Sequence, residues 1–401
     1  MKLNYFNFKQ YGKSILMTND FGKYMFVSKE DFGKILSLDV DRESELYESL
    51  IEKKMIYDES DLEYSSINKY ALREIKGHVN VATSLHIFVV TTVCNMNCIY
   101  CQANNGVECS HLIMNKEMAE KAVDIALQSP EQSLCFEFQG GEPLVNFDII
   151  KHIVQYAEIH KEKHEIAYTV VTNLTLLNDE MLDFFVQYSF GISTSVDGSE
   201  LVHNNNRPYA DGSGTFKKVI NSVERVRKAG LQVGAIETTT RFSLNFPKEI
   251  VHTYVDMGFE SIFIRPLTPL GKAAKSWKKI GYSSDEFIKF YQQALDELIE
   301  INKTGRFIKE DHAAILLRRI RGDFMNYMEL RSPCGAGVGQ LAYYADGNIF
   351  TCDEGRMLHE MGQSTFQLGN VYNNTYTDLI NNSALNFSCW VLIFLLPLKI
   401  S

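Results

Sequence analysis

Apolar residues along this chain fall into two kinds of segment, and the two kinds alternate. Short runs read as strands at Leu85–Thr92, Leu134–Phe138, Ile166–Thr172, Gly191–Val196, Gln232–Thr238 and Ser261–Arg265. The first, LHIFVVTT, has the β-branched, apolar composition of a strand buried on both faces. Helical periods separate them at Lys116–Gln128, Ile149–His160, Asp179–Gln187, Thr215–Ala229 and Lys248–Met257. Regular alternation predicts βαβ units with right-handed crossovers. The expected fold class is therefore α/β, a six-stranded partial (β/α)6 TIM-like barrel whose open side would admit a polypeptide as well as a metabolite.

Flanking patterns divide the rest of the chain. Ser14–Val27 reads as a hairpin with an N-D-F-G turn, followed by helical stretches at Lys29–Leu38 and Asp41–Lys53. Ser284–Asn302 and Asp311–Arg321 read as helices with charged outer faces. Leu341–Tyr344 and Asn348–Thr351 read as a hairpin joined by A-D-G-N. The predicted organisation is a small N-terminal α+β module over 1–81, the barrel over 82–270, a helical connection over 271–330 and a C-terminal domain over 331–401.

The chemistry sits at strand ends. The segment TTVCNMNCIYCQAN begins where the first barrel strand finishes and places Cys94, Cys98 and Cys101 in a C-x3-C-x2-C loop. Three thiolates bound to a four-iron cluster leave one iron without a protein ligand, where a molecule carrying an amino and a carboxylate group can chelate. A structural zinc normally takes four Cys or His ligands, and the nearest spare residues are Cys109 and His111. Disulfides are disfavoured because MKLNYFNFKQYG shows no basic segment leading into an apolar one, and a reducing cytoplasm is the expected location. Directly after the second strand comes FQGGEP, Phe138–Pro143. Paired glycines there serve either a tight turn or a close backbone approach. In the second case Gly140 and Gly141 offer peptide groups to a ligand, and Glu142 offers an acceptor for a cation. The G-x-G-x-x-G spacing of a dinucleotide site is absent.

The cysteine loop and GGEP, one βα unit apart, resemble the radical S-adenosylmethionine (SAM) family. The resemblance implies a 4Fe-4S cluster on Cys94, Cys98 and Cys101, with Gln139, Gly140, Gly141 and Glu142 lining the methionine moiety of SAM. STSVDG (Ser193–Gly198) and HNNNRP (His203–Pro208) look like further SAM contacts, with Ser195 reaching a ribose or carboxylate oxygen and Arg207 the carboxylate. By composition alone the second segment is a loop of turn formers. Tyr100 matches the aromatic usual inside such a cysteine loop, near the adenine or the cluster, with plain packing as the alternative. Cys334 and Cys352 bracket the late hairpin as C-x12-G-x4-C with Gly347 as the glycine. This resembles the opening of a SPASM domain and makes the two cysteines candidate ligands of an auxiliary 4Fe-4S cluster.

From about Tyr5 to Leu385, the segments LHIFVVT, FQGGEPLVNF, STSVDG with HNNNRP, TTTRFSLNFPKEIV, GFESIFIRPL and LGNVY resemble the radical SAM maturases of the His-Xaa-Ser peptide systems. The resemblance implies reductive cleavage of SAM and hydrogen abstraction from a precursor peptide or small protein by the 5'-deoxyadenosyl radical. It also implies a partner maturase and an electron donor such as flavodoxin or ferredoxin. No catalytic side chain is assigned. The N-terminal module would serve as a peptide-binding wing that accepts a leader by strand addition, or as a simple cap. A sulfatase-type maturase that oxidises a Cys or Ser side chain is the alternative enzyme. The third reading, a non-catalytic peptide-binding pseudoenzyme, comes from the tail. A SPASM domain would continue past Cys389 with more cysteines, whereas this chain reads SCWVLIFLLPLKIS, and the clash in composition predicts a frameshift or truncation. Its apolar run Trp390–Pro397 is too short for a membrane span of about 20 residues.

Charge adds exclusions. A net charge of −10 with no basic run in the sequence argues against nucleic acid as the main partner. No membrane partner is expected. Cys109 reads as a loop thiol and Cys135 as a buried small hydrophobe.

Overall fold

The computed structural model describes residues 1–58, 74, 77, 82–103, 111–323, 327, 328, 330 and 334–385. Cys109, Cys389 and the apolar run Trp390–Pro397 lie outside the described residues. The chain divides into two compact units, Met1–Asn80 and Val81–Ser401.

In the first unit β1 (Lys2–Leu3) pairs with β5 (Ile56–Tyr57), while β2 (Asn7–Tyr11), β3 (Ser14–Thr18) and β4 (Tyr24–Ser28) form an antiparallel sheet in that order. Met17, Met25 and Val27 from this sheet pack with Phe32 and Ile35 of α1 (Lys29–Ser37) and Leu50 of α2 (Glu45–Glu52). Strand β2 escapes a sequence reading because all five of its residues are exposed and no buried face marks it.

The second unit is built on β6 (Leu85–Thr91), β7 (Ser133–Gly140), β8 (Glu165–Val171), β9 (Gly191–Ser195), β10 (Val233–Thr238) and β11 (Ser261–Arg265). All six are parallel and neighbour one another in sequence order. The sheet does not close. The two-residue β12 (Lys309–Glu310) extends it beyond β11, and β13 (Gln340–Tyr343), β14 (Asn348–Phe350) and β15 (Gln367–Asn370) extend it beyond β6. Strand β13 runs parallel to β6 and then turns back at Gly347, whose φ of 87° is open to glycine and costly for most residues.

Helices α3 (Lys116–Ala126), α4 (Phe147–His160), α5 (Asp179–Gln187), α6 (Glu200–Asn206), α7 (Phe216–Lys228) and α8 (Pro247–Asp256) connect the strands. Local chemistry fixes several starts: Asn115 accepts from the Met118 N–H, Asn178 accepts from the Met181 N–H, and Pro247 opens α8. Strand alternation then sorts side chains between two faces. On β6, Phe88 and Val90 join the main core with α3, α4 and α5, whereas Ile87 and Val89 pack on the other face with Ala342, Tyr344 and Phe350. Both faces are covered, as the composition of β6 predicts. After β11 come α9 (Gly271–Ile280), α10 (Ser284–Lys303), α11 (Asp311–Ile320), α12 (Asp353–Glu360), α13 (Tyr376–Ile380) and the short α14 (Ser383–Leu385). Among the described residues no helix is long and apolar enough to cross a membrane.

Candidate active site

A cavity of about 650 Å3 opens on the inner face of the sheet, within the range of roughly 300–1,000 Å3 usual for small-molecule sites. Its wall draws inward-facing residues from β6 (Ile87), β7 (Glu137, Gln139), β9 (Ser193, Ser195), β10 (Ile236, Thr238) and β11 (Phe263, Arg265). Cys94, Cys98 and Cys101 line it together with Tyr100, Gly140, Gly141, Gln139, Ser195 and Arg207. Residues from four separate segments of the sequence thus meet at one opening.

The cysteine loop is held from several sides. The Asn97 N–H donates to the Pro208 carbonyl (2.8 Å) and the Ile99 N–H to the Asn206 carbonyl (2.9 Å). Asn95 accepts from Asn173 (3.0 Å) and donates to Thr175 (2.7 Å). On another side the Lys272 N–H donates to the Cys101 carbonyl (2.9 Å), and the Lys272 ammonium bonds Asn97 Oδ1. HNNNRP is not the loop that its composition suggested. Its first four residues are the C-terminal half of α6, Arg207 caps that helix, and burial of His203 and Asn206 outweighs their weak helix propensity.

Tyr100 and Arg207 belong to one buried chain. An Arg207 Nη donates to the Tyr100 hydroxyl (2.7 Å), which donates to Asp197 Oδ1 (3.0 Å). Among the described residues, Arg207 Nε and Asp197 Oδ2 have no hydrogen-bond partner. Arg207 is 9% exposed and lines the cavity, so its guanidinium charge there favours an anionic occupant. Burial pushes the Asp197 carboxyl up from 3.8 to about 6, with Arg207 opposing. Between those values the folded chain keeps a proton that the unfolded chain releases. Stability from this group is therefore fullest below 3.8 and falls as pH rises towards 6. Asp197→Asn is expected to flatten the pH dependence of the denaturation midpoint in that window, and an unchanged slope would refute the assignment.

The glycines act in an unexpected way. A Cβ on Gly140 would lie under 3.0 Å from the Thr91 carbonyl oxygen, and one on Gly141 would lie as close to the carbonyl oxygens of Thr92 and Val93. The close approach is made by the start of the cysteine loop, which is fastened by Gly141 N–H to Thr91 O (2.9 Å) and Glu142 N–H to Val93 O (2.8 Å). Glu142 does not line the cavity. Its carboxylate accepts from the Thr172 hydroxyl (2.6 Å), the Asn173 N–H (2.7 Å) and the Leu144 N–H (3.1 Å). It ties the exit of β7 to the exit of β8.

The thiols are sheltered. Burial pushes Cys94 up to about 12 and Cys98 to about 11, the latter opposed by Arg207, so metal binding would have to displace protons from both. Cys135, expected as core, lines the cavity from β7 with Thr169 Oγ1 3.7 Å away. Cys352 caps α12 by accepting from the Gly355 N–H (3.3 Å), and Cys334 is exposed. Neither lines the cavity. Asp353, Glu354 and Arg356, which follow Cys352, do line it, with Arg356 Nε 2.7 Å from Asp353 Oδ1. Sequence reading missed all three, although charged residues directly after a hairpin cysteine were a usable signal.

Comparison with known proteins fits this geometry. Residues 88–257 match the Radical SAM superfamily. The chain carries a radical SAM core. An uncharacterized protein of Methanocaldococcus jannaschii is 31% identical over 186 residues, 46% of this chain and 63% of its own length, so the chain spans less than two thirds of that relative. A cysteine-type anaerobic sulfatase-maturating enzyme of Clostridium perfringens is 25% identical over 311 residues, 75% of this chain and 80% of that enzyme. The fold is also that of native anSMEcpe with bound AdoMet and Kp18Cys peptide (TM-score 0.66, 22% identity, 78% of this chain and 83% of that one). Matching radical SAM structures at this coverage agree with the central parallel sheet described above, and the matched segment runs from β6 to just past α8.

Proposed function

We propose that the chain is a radical SAM enzyme that modifies a ribosomally made peptide or protein. One observation carries the reading: the three cysteines of the C-x3-C-x2-C loop line the same cavity as Gly140, Gly141, Ser195 and Arg207. Among the described residues no three His, Cys, Asp or Glu side chains converge as a single metal ion requires. Three thiols along one wall suit a cluster, which spreads its ligands over several irons, better than tetrahedral zinc. A 4Fe-4S cluster with SAM supplies, when bound, a 5'-deoxyadenosyl radical by reductive cleavage of the sulfonium.

The chain's own residues bind and orient. Cys94, Cys98 and Cys101 would hold the cluster, and Arg207, on the cavity wall, would offer its guanidinium to the SAM carboxylate while the Tyr100–Asp197 chain holds it in place. Ser195 and Gln139 supply polar groups from the ends of β9 and β7. Glu142 holds the loops in register instead of meeting SAM. Arg207→Ala is therefore expected to weaken SAM binding by about ten- to a hundredfold, the loss of one charge-assisted hydrogen bond. Glu142→Ala should instead lower the denaturation midpoint. Equilibrium SAM titration and urea unfolding of both variants separate the two roles, and the opposite pattern would reverse the assignment.

A peptide substrate is favoured by the likeness to a sulfatase-maturating enzyme and by the peptide bound to anSMEcpe. We take a His-Xaa-Ser precursor as the first substrate class to test. Side-chain oxidation of a Cys or Ser, as in sulfatase maturation, is the second reading, favoured by the 80% coverage of the Clostridium perfringens enzyme. Anaerobic incubation with each peptide, with 5'-deoxyadenosine and peptide mass followed together, distinguishes them. Release of 5'-deoxyadenosine with neither peptide changed would reject both substrates.

A further inference from the structure

Before the paired glycines, the inner wall of β7 carries a short polar ladder. Strand alternation sends Cys135, Glu137 and Gln139 to the cavity side and Leu134, Phe136 and Phe138 to the core. Gln139 Nε2 donates to Glu137 Oε1 at 2.6 Å. Thr169, directly across the ladder on β8, donates its hydroxyl to Glu137 Oε2 at 3.5 Å. The proposed function uses Gln139 as a polar group and leaves Glu137 without a role.

Chemistry fixes the polarity of the pair. A side-chain amide has an oxygen end and a nitrogen end of nearly the same shape, and its surroundings decide which end meets a neighbour. An ionised carboxylate accepts and does not donate, so Glu137 takes the nitrogen end. The oxygen end is thereby turned away from Glu137. Among the described residues nothing donates to Gln139 Oε1, and Gln139 lines the cavity. Bonding of its N–H to an anion polarises the amide and strengthens its oxygen as an acceptor.

We infer that Glu137 is a positioning residue, which holds the Gln139 amide with its oxygen offered to the cavity so that this wall takes an N–H donor from the occupant. The inference rests on the proposed SAM and peptide site and adds the sign of recognition on one wall of it. Two donors fit: the ammonium group of SAM and a main-chain N–H of the peptide. A carboxylate or carbonyl at this point would meet oxygen against oxygen, whereas Arg207 of the same cavity offers the donor that a carboxylate needs.

The test compares the reconstituted full chain with E137Q, Q139E and the exchanged pair E137Q/Q139E. SAM affinity is measured by equilibrium titration, and peptide KM and kcat by 5'-deoxyadenosine release. In E137Q the neighbour both donates and accepts, so the amide loses its single orientation. Affinity for the donor-bearing ligand is expected to fall about tenfold, on the order of one lost hydrogen bond. Q139E sets two carboxylates side by side and should bind at least as weakly. The exchanged pair should recover most of the affinity, because the amide now at 137 donates to the carboxylate now at 139, which keeps an oxygen for the occupant. Weaker SAM binding assigns the donor to the SAM ammonium, and a raised peptide KM with SAM affinity intact assigns it to the peptide. Parental SAM affinity and parental KM in E137Q would overturn the inference, as would an exchanged pair no better than Q139E. Iron content and urea midpoint should stay near the parental values in E137Q, and an affinity loss matched by a fall in both would reduce Glu137 to a structural prop. A parent chain that binds no SAM would reject the site itself, a result read before any variant is compared.

Discussion

Alanine at Cys94, Cys98 or Cys101, one position at a time, is expected to abolish the 4Fe-4S cluster in anaerobically reconstituted protein and to take 5'-deoxyadenosine formation below detection. The three thiols line one cavity from one loop, whereas the cavity's other cysteine, Cys135, stands on β7 beside Thr169. Iron and sulfide quantification beside a product assay checks the result. Retention of a full cluster by all three single variants would mean that the loop is not its cradle. Tight stoichiometric zinc in place of iron would return the site to the structural alternative.

Gly141→Ala should disrupt the site without touching any proposed ligand. The new methyl group would meet the carbonyl oxygens of Thr92 and Val93, backbone atoms just past the end of β6, the second of which already accepts from the Glu142 N–H. Overpacking of this kind costs typically about 1–3 kcal/mol. Here relief requires the cysteine loop itself to shift, so iron loading should fall with the urea midpoint. Gly140→Ala should behave alike through Thr91. Parental stability and iron content in both variants would show that the glycines are present for a turn alone.

Legibility from sequence followed burial. LHIFVVT announces itself because both its faces are covered and its composition is largely apolar, while SIFIR shows the alternation of buried Ile262 and Ile264 with residues facing the cavity. Helix α6 was hidden because ELVHNNN is poor helix-forming material. It is held by tertiary bonds such as His203 to Thr215 and Asn206 to Ser243, and partners of that kind cannot be read from a local window. The surroundings of Glu142 were hidden for the same reason: two of its hydrogen-bond partners, Thr172 and Asn173, stand some thirty residues onward, outside any local window. The cysteine motif was legible because its information lies in spacing alone.

The pairing of β13 with β6 carries a consequence for the order of events during synthesis. Leu85 meets Gln340 across that ladder, and the buried His86 meets the Tyr343 hydroxyl at 2.9 Å, a separation of 257 residues. The strand that launches the cysteine loop therefore leaves the ribosome with one edge unsatisfied and stays so until most of the chain has followed. Contacts so distant in sequence form late. The strand that leads into the cysteine loop thus waits for its second neighbour, 257 residues onward at Tyr343, before both its edges are paired.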